Sequence, residues 1–124
     1  MNTFHIEGTE NSPELYINLK SQSVEINGVS TLKNPNFFYA NLSRWIIAFS
    51  YGEKKIKTVD IKLKKLNEPS LRWIKFIIGH LNKNADKLDK PVINWYYKDE
   101  NRLLKKLIEE CKSAYNLPSK YIAA

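Results

Sequence analysis

The sequence has few of the residues that define several common classes of protein. Its 124 residues include a single cysteine, Cys111, so an internal disulfide cannot form and the chain must rely on its apolar core. The longest apolar runs, such as residues 45–49, are far too short to span a bilayer. The two histidines, His5 and His80, have no nearby cysteine or paired acid at metal-ligand spacing. We therefore expect no disulfide framework, no membrane association and no metal site.

Sequence signatures of catalysis and of targeting are also missing. No P-loop, dinucleotide-binding fingerprint or nucleophile elbow occurs, so we expect no catalytic residue, no cofactor and no enzymatic activity. An enzyme with an unrecognised site stays an alternative, which a deep pocket with convergent polar groups would favour. Residues 1–10 contain no continuous apolar segment and carry two acids, which predicts a soluble, cytoplasmic protein without a signal peptide. The length suits one domain over residues 1–124.

The net charge is strongly positive, at +7 with a pI near 9.4. Such a charge indicates either a solvated basic surface or an acidic partner, and nucleic acid is one such partner. No aromatic platform of the RNA-recognition type accompanies the basic residues, so a basic nucleic-acid-binding module is the weaker alternative. The most closely spaced cations lie in one loop and one predicted strand: Lys54, Lys55, Lys57, Lys62, Lys64 and Lys65.

The first third of the sequence predicts short strands followed by a helix. Turn residues separate three candidate strands, at residues 3–7, 14–19 and 23–27. Asn27-Gly28 is a strong turn signal, so we expect the third strand to end there. Residues 34–36 then start a helix that Gly52 ends. The apolar stripe of this helix is predicted to comprise Phe38, Leu42, Trp45, Ile46 and Phe49.

The most informative segment is residues 59–74, which predicts a strand that runs directly into a helix. Apolar Val59, Ile61 and Leu63 alternate with polar residues, as in a strand with one buried face. Asn67 suits the helix N-cap, and the proline that follows two residues later suits the first turn. Backbone N–H groups at such a helix start attract negative charge, and Glu68 stands there.

The helix that begins at this junction has apolar residues on two flanks. The first flank is predicted to face the core and comprises Leu71, Ile74, Ile77, Ile78 and Leu81. Trp73, Phe76 and His80 gather on the second flank. A helix with this pattern is either buried between neighbours or presents one flank to a partner.

The last third of the sequence predicts a strand and a helix. Pro91 precedes residues 92–97, whose near-continuous apolar and aromatic run is typical of a central strand. The final helix ends before Pro118, and its stripe is predicted to be Leu104, Leu107, Ile108, Cys111 and Tyr115. Strands alternating with helices indicate right-handed crossovers that place the helices against one mixed sheet, an α/β fold.

Several segments occur in a characteristic order and spacing, and the most specific is the run Asn94, Trp95, Tyr96 and Tyr97. The others are residues 6–14, residues 24–30, Phe38-Tyr39 with Trp45, the junction at residues 63–73, and residues 115–118. Through these segments, which cover nearly the whole length, the chain resembles the SiaC family of bacterial biofilm-regulation phosphoproteins.

The resemblance implies an α/β fold with a single-layer mixed sheet flanked by helices, on the general plan of anti-sigma-factor antagonists (STAS domains). It implies a non-catalytic signalling adaptor that is phosphorylated by a serine/threonine kinase and dephosphorylated by a phosphatase. The unphosphorylated form then binds and activates a diguanylate cyclase, which makes cyclic di-GMP. The phosphorylated threonine of the family follows an asparagine at the strand-to-helix junction.

Two departures from the family pattern bear on this function. Glu68 holds the position of the phosphorylated threonine, which predicts either a permanently phosphorylated-like state or the loss of phosphorylation control. Ser70 is an alternative acceptor, because we expect its hydroxyl near the same backbone N–H groups. The long acidic run that family members carry after the tyrosine pair is reduced here to Asp99 and Glu100, which predicts altered partner electrostatics.

We expect the recognition surface at the strand-to-helix junction and on the second flank of the helix that follows it. Its predicted partner-binding residues are Asn67, Arg72, Trp73 and Phe76. This hypothesis requires Trp73 and Phe76 to be substantially exposed to solvent.

Overall fold

The computed structural model describes residues 3–50, 55–84 and 90–124. Within these ranges the chain forms six strands and three helices. In chain order they are β1 (Thr3–Ile6), β2 (Glu14–Asn18), β3 (Ser23–Ser30), α1 (Asn36–Ser50), β4 (Thr58–Leu66), α2 (Glu68–Asn84), β5 (Val92–Tyr97), α3 (Arg102–Ala114) and β6 (Ser119–Ala123). None of these helices is long and apolar enough to cross a membrane.

The six strands form one sheet in the order in which they occur in the chain. Strands β1, β2 and β3 are antiparallel neighbours, whereas β3, β4, β5 and β6 run parallel. Each parallel pair is joined by one helix, as a crossover requires. Because α2 contacts both α1 and α3, the helices form a single layer. The predicted α/β fold with a mixed sheet flanked by helices is therefore confirmed.

The core lies between the sheet and the helix layer. Val59, Ile61 and Leu63 of β4 are buried, as their alternation predicts, and so is the whole predicted inner flank of α2. The largest fully buried side chains are those of Trp95 and Tyr39. The opposite face of the sheet is polar, and one row across five strands consists of Tyr16, Glu25, Asp60, Asn94 and Lys120.

The predicted turn at Asn27-Gly28 is wrong. Strand β3 continues through both residues to Ser30, and Gly28 adopts a φ of +102°, which residues with a side chain rarely do. The pairing of β3 with β4 shifts at this point, from Gly28↔Leu63 to Val29↔Lys65. The glycine therefore accommodates a β-bulge instead of a hairpin turn.

Other predictions need smaller corrections. In α1, Tyr39 is fully buried, while Phe38 and Trp45 are only partly buried at the margin of the core. Tyr115 is the half-buried C-cap of α3 and does not belong to its buried stripe. Strand β6 was not predicted, but β5 pairs with β4 on one side and with β6 on the other, so it is an interior strand, as its apolar run predicts. Gly52, the predicted end of α1, lies outside the described residues.

Candidate functional site

Residues 67–70, called the switch turn below, connect the carboxyl end of β4 to α2. Asn67 holds this turn through both its backbone and its side chain. Its backbone N–H donates to Ser30 O at 3.1 Å, and its Nδ2 donates to Leu32 O at 2.8 Å. Its Oδ1 accepts a hydrogen bond from the Ser70 N–H at 3.0 Å, which confirms the predicted N-cap. The turn is therefore fixed to the end of β3 as well as to β4.

Glu68 occupies the first turn of α2, with its side chain 42% exposed. Lys106 of α3 lies across from it, and the distance from Lys106 Nζ to Glu68 Oε1 is 3.0 Å. The carboxylate thus complements the helix N-terminus and pairs with a cation of a neighbouring helix. Such an exposed ion pair contributes about 0–1 kcal/mol to the free energy of unfolding. Its main effect is therefore to place a negative and a positive charge side by side at the surface.

Ser70 points into the protein and is fully buried. Ser30 Oγ donates a hydrogen bond to Ser70 Oγ at 2.8 Å, and Tyr39 Oη lies 2.5 Å from Ser30 Oγ. Burial raises the pKa of Tyr39 to about 12, although the hydrogen bonds with Ser30 and Ser70 oppose the shift. The Ser70 hydroxyl is therefore part of an internal hydrogen-bonded chain and is not accessible from solvent, which a phosphate acceptor must be.

Trp73 and Phe76 lie on the outer side of α2, but their exposure differs. Phe76 is 56% exposed, which confirms the prediction for this residue. Trp73 is partly buried against the core, so the prediction that it is substantially exposed is wrong. Its indole stacks on Tyr39 with a centroid separation of 6.2 Å, and its Nε1 donates to Asn36 Oδ1 at 2.9 Å. The reason is that α1 packs beside this flank.

The two aromatic rings contact each other edge to face, with centroids 5.8 Å apart. Arg72, next to Trp73 in α2, is exposed. Sequence reasoning missed Phe37, which is 84% exposed and directly follows the Asn36 that holds Trp73. The signal available in the sequence was that Phe37 is a large apolar residue outside the predicted apolar stripe of α1. We call Arg72, Trp73 and Phe76 together the aromatic flank.

A groove of about 750 Å³ adjoins the switch turn, since Leu66, the residue before Asn67, lines it. Strand β4 pairs with β5 only as far as Ile61↔Trp95, so residues 62–66 pair with β3 but not with β5. Asn101 bridges the gap, since its Nδ2 donates to Leu63 O at 3.2 Å and to Lys64 O at 3.3 Å. The charged residues that line this basic groove are Lys62, Lys64, Lys65, Lys98, Arg102 and Glu100. Sequence reasoning placed three of these lysines on β4 but did not predict the groove.

Nucleophilic or metal-binding chemistry has little support in the described residues. Cys111 is buried, and burial raises the pKa of its thiol to about 12, so the thiol is protonated at neutral pH. His5 Nε2 lies 3.1 Å from Glu14 Oε2, a pairing that the sequence did not reveal. Within the described ranges, no group of three or more metal-ligating side chains forms around this pair or elsewhere.

The chain is similar to bacterial proteins both in sequence and in fold. The chain is 24% identical over 119 residues to an uncharacterized protein of Pseudomonas aeruginosa strain UCBPP-PA14, covering 95% of this chain and 94% of the relative. The structure of apo-SiaC from Pseudomonas aeruginosa is similar, with a TM-score of 0.84, 21% identity, and coverage of 99% of this chain and 100% of that chain.

A second similar structure is that of SiaC within a complex. In the crystal structure of the diguanylate cyclase SiaD with its activator SiaC from Pseudomonas aeruginosa, the match has a TM-score of 0.83 and 20% identity. It covers 98% of this chain and 99% of that chain. These likenesses show a shared fold. The model of the SiaC family regulatory phosphoproteins matches residues 6–124, and the chain therefore belongs to the SiaC family.

Proposed function

We propose that this protein is a non-catalytic adaptor in bacterial signal transduction, which binds partner proteins through the switch turn and the aromatic flank. The observation that carries the proposal is the exposure of Phe76 on α2, the helix that begins at the switch turn. Exposed aromatic residues of this kind supply a large share of the binding energy at protein interfaces. In a regulatory phosphoprotein family, a partner surface next to the switch position suits regulated binding.

A continuous set of contacts links the switch turn to the aromatic flank. Phe76 contacts Trp73, Trp73 stacks on Tyr39, and Tyr39 lies within hydrogen-bonding distance of Ser30. Ser30 in turn donates to Ser70 in the switch turn. A rearrangement of the turn would therefore alter the packing beneath the aromatic flank, which gives charge at the turn a physical route to partner binding.

Glu68 is proposed as the equivalent of the phosphorylated position. A carboxylate carries about half or more of the charge of a phosphate group but fewer acceptor oxygens. The support for this proposal is that Lys106 Nζ lies 3.0 Å from Glu68 Oε1, so a cation stands next to the negative group at this position. We therefore propose that Glu68 removes phosphorylation control, while its smaller charge leaves the surface able to bind the effector. Ser70 becomes an acceptor only after the first turn of α2 opens, because its hydroxyl is buried.

The proposed partners are a diguanylate cyclase-type effector and, where phosphorylation control persists, a serine/threonine kinase and a phosphatase. The support for the effector is that SiaC of Pseudomonas aeruginosa forms a complex with the cyclase SiaD. The proposed site of action is the cytoplasm, and the proposed role is in the control of cyclic di-GMP signalling and biofilm formation.

The proposal is tested by measuring the binding of the purified full chain to the diguanylate cyclase of the same organism by surface plasmon resonance. Phe76→Ala should weaken binding by about tenfold or more, since a central aromatic anchor contributes about 2 kcal/mol. Tyr121→Ala is the matched control, because Tyr121 is an exposed aromatic residue on the edge strand β6. Undetectable cyclase binding by the wild-type chain, or an equal loss in both variants, contradicts the proposal.

The net charge of +7 and the basic groove favour a nucleic-acid-binding module as the second candidate function. Retardation of DNA or RNA in a gel at about 150 mM salt, weakening as salt rises, supports this candidate. Absence of retardation under those conditions dismisses it.

A further inference from the structure

The carboxyl end of β4 departs from the regular alternation of a strand. The β-bulge opposite Gly28 inserts Lys64 as an extra residue, because Leu63 pairs with Gly28 and Lys65 with the next residue of β3. Leu63 and Leu66 are both buried, while Lys64 and Lys65 between them are both exposed. The bulge thus turns two consecutive lysines towards solvent and still returns the strand to the core.

The opposite wall of the basic groove is also positively charged. Lys98 and Arg102, from the β5–α3 connection and the start of α3, are exposed and line the groove. Within the described part of the chain, neither they nor the two bulge lysines form an ion pair. The remaining lysine of the groove is compensated, since Lys62 Nζ lies 2.7 Å from Glu25 Oε1. Four uncompensated cations therefore line the groove together with Glu100, its single acidic side chain, and Ala124, the last residue of the given sequence.

The arrangement of these cations indicates the kind of ligand. All four side chains are exposed, and they come from two separate elements that line the groove, β4 on one side and the β5–α3 connection with the start of α3 on the other. A small polyphosphate is bound by convergent donors, whereas an extended acidic segment is matched by cations spread along a groove. The groove also adjoins the switch turn directly, because Leu66 precedes Asn67 in the chain.

We propose that the basic groove binds an acidic polypeptide segment of a partner protein. This inference rests on the proposed function, in which the partners are proteins, and it specifies the chemistry that the chain recognises. A segment that lies in the groove is positioned to continue onto the switch turn, so the two surfaces form one interface. The bulge at Lys64 then acts in specificity, since it creates the cationic wall.

The test is the binding of a short fluorescein-labelled poly-glutamate peptide to the full chain, measured by fluorescence anisotropy at low salt. The groove variant is Lys64→Gln/Lys65→Gln. The control variant is Lys20→Gln/Lys83→Gln, which removes the same charge from exposed lysines on the β2–β3 connection and in the last turn of α2. We expect the groove variant to bind about tenfold more weakly and the control variant to bind within about twofold of the wild type.

Several outcomes would overturn the inference. Equal losses in the two variants would mean that the peptide senses only the overall charge. Tighter binding of a single-stranded oligonucleotide, lost in the groove variant, would assign the groove to nucleic acid. Tighter binding of inorganic triphosphate, lost in the same variant, would assign it to a small anion. Thermal unfolding of both variants at the wild-type temperature ensures that the losses report binding.

The same variants separate this inference from the proposed function. Groove-specific peptide binding together with undetectable cyclase binding contradicts the proposed function and supports an acidic ligand of the groove. Cyclase binding that depends on Phe76, without any groove-specific loss of peptide, contradicts the groove alone. Phe76→Ala itself should retain peptide binding, because Phe76 does not line the groove.

Discussion

Ser30 Oγ donates a hydrogen bond to Ser70 Oγ at 2.8 Å, and both side chains are fully buried. This bond joins the last residue of β3 to the first turn of α2. Tyr39 adds the helix α1 to the same chain of hydroxyls. Three elements of the fold thus meet at a polar contact directly beneath the switch turn, so the position of the turn depends on the interior of the protein as well as on its cap.

Ser70→Ala should lower the free energy of unfolding by about 1–2 kcal/mol, because it leaves the buried Ser30 hydroxyl without its acceptor. Urea denaturation followed by tryptophan fluorescence measures the change. Ser113→Ala is the control, since Ser113 is an exposed serine of α3 and should change stability by less than about 0.5 kcal/mol. Equal effects of the two substitutions on the free energy of unfolding would show that the internal hydrogen bond does not stabilise the folded state.

Stability should fall at alkaline pH because of Tyr39. The pKa of its phenol is raised from 10.0 to about 12 by burial, so unfolding releases a proton between these values that the folded state retains. The free energy of unfolding is then lost as pH rises from about 10 towards 12, by up to about 1.4 kcal/mol per pH unit. Tyr39→Phe should flatten this dependence in urea titrations.

Tyr121→Phe serves as the control for the alkaline titration, because its ring lies exposed on β6. The slope of this variant should match that of the wild type. An unchanged slope in Tyr39→Phe would show that Tyr39 does not control the alkaline loss of stability.

Gly79 in α2 allows Tyr115 to approach the helix closely. A Cβ atom at position 79 would lie 2.5 Å from Tyr115 Oη and 2.7 Å from its Cζ. We expect Gly79→Ala to destabilise the wild type, because the ring must move away from its site at the end of α3. In a Tyr115→Ala background the same substitution should stabilise by about 0.5–1 kcal/mol through helix propensity. A double-mutant cycle by chemical denaturation measures the coupling, and additive effects would refute the steric contact.

Glu68→Thr should restore phosphorylation of the switch turn by a cognate kinase, where the organism has one, because the hydroxyl would stand at an exposed helix start that favours phosphate. Intact-mass analysis after co-expression measures the added phosphate. The double variant Glu68→Thr/Ser70→Ala should still gain one phosphate, and the wild type should gain none. A phosphate that disappears with Ser70→Ala would instead identify Ser70 as the acceptor.

Much of the fold follows from local sequence patterns. The alternation in β4, the N-cap at Asn67 and the inner stripe of α2 each depend on the period of a single element, and each was predicted with the right boundaries or burial. Strand β6 was missed because its five residues show no clear alternation, and it exists through parallel pairing with β5. The turn predicted at Asn27-Gly28 was wrong because a glycine at positive φ suits a β-bulge as well as a turn.

The candidate site was predicted only in part, for a related reason. The positions of Glu68 and Phe76 on α2 follow from helical periodicity, so their partial exposure was accessible from the sequence. The burial of Ser70 and the shielding of Trp73 were not, since both depend on α1 lying beside α2. The groove likewise requires β4 to separate from β5, which is a property of the pairing between two strands.

The sequence by itself determined the order of the main elements, the capped start of α2, the negative charge at Glu68 and the membership of a family of regulatory phosphoproteins. These features depend on residue identity and short-range period. The tertiary structure alone decided which hydroxyl turns inward, which aromatic ring stays exposed, and where unpaired cations gather. Those outcomes depend on contacts between residues far apart in the chain, such as Ser30 with Ser70, whose register no local pattern encodes.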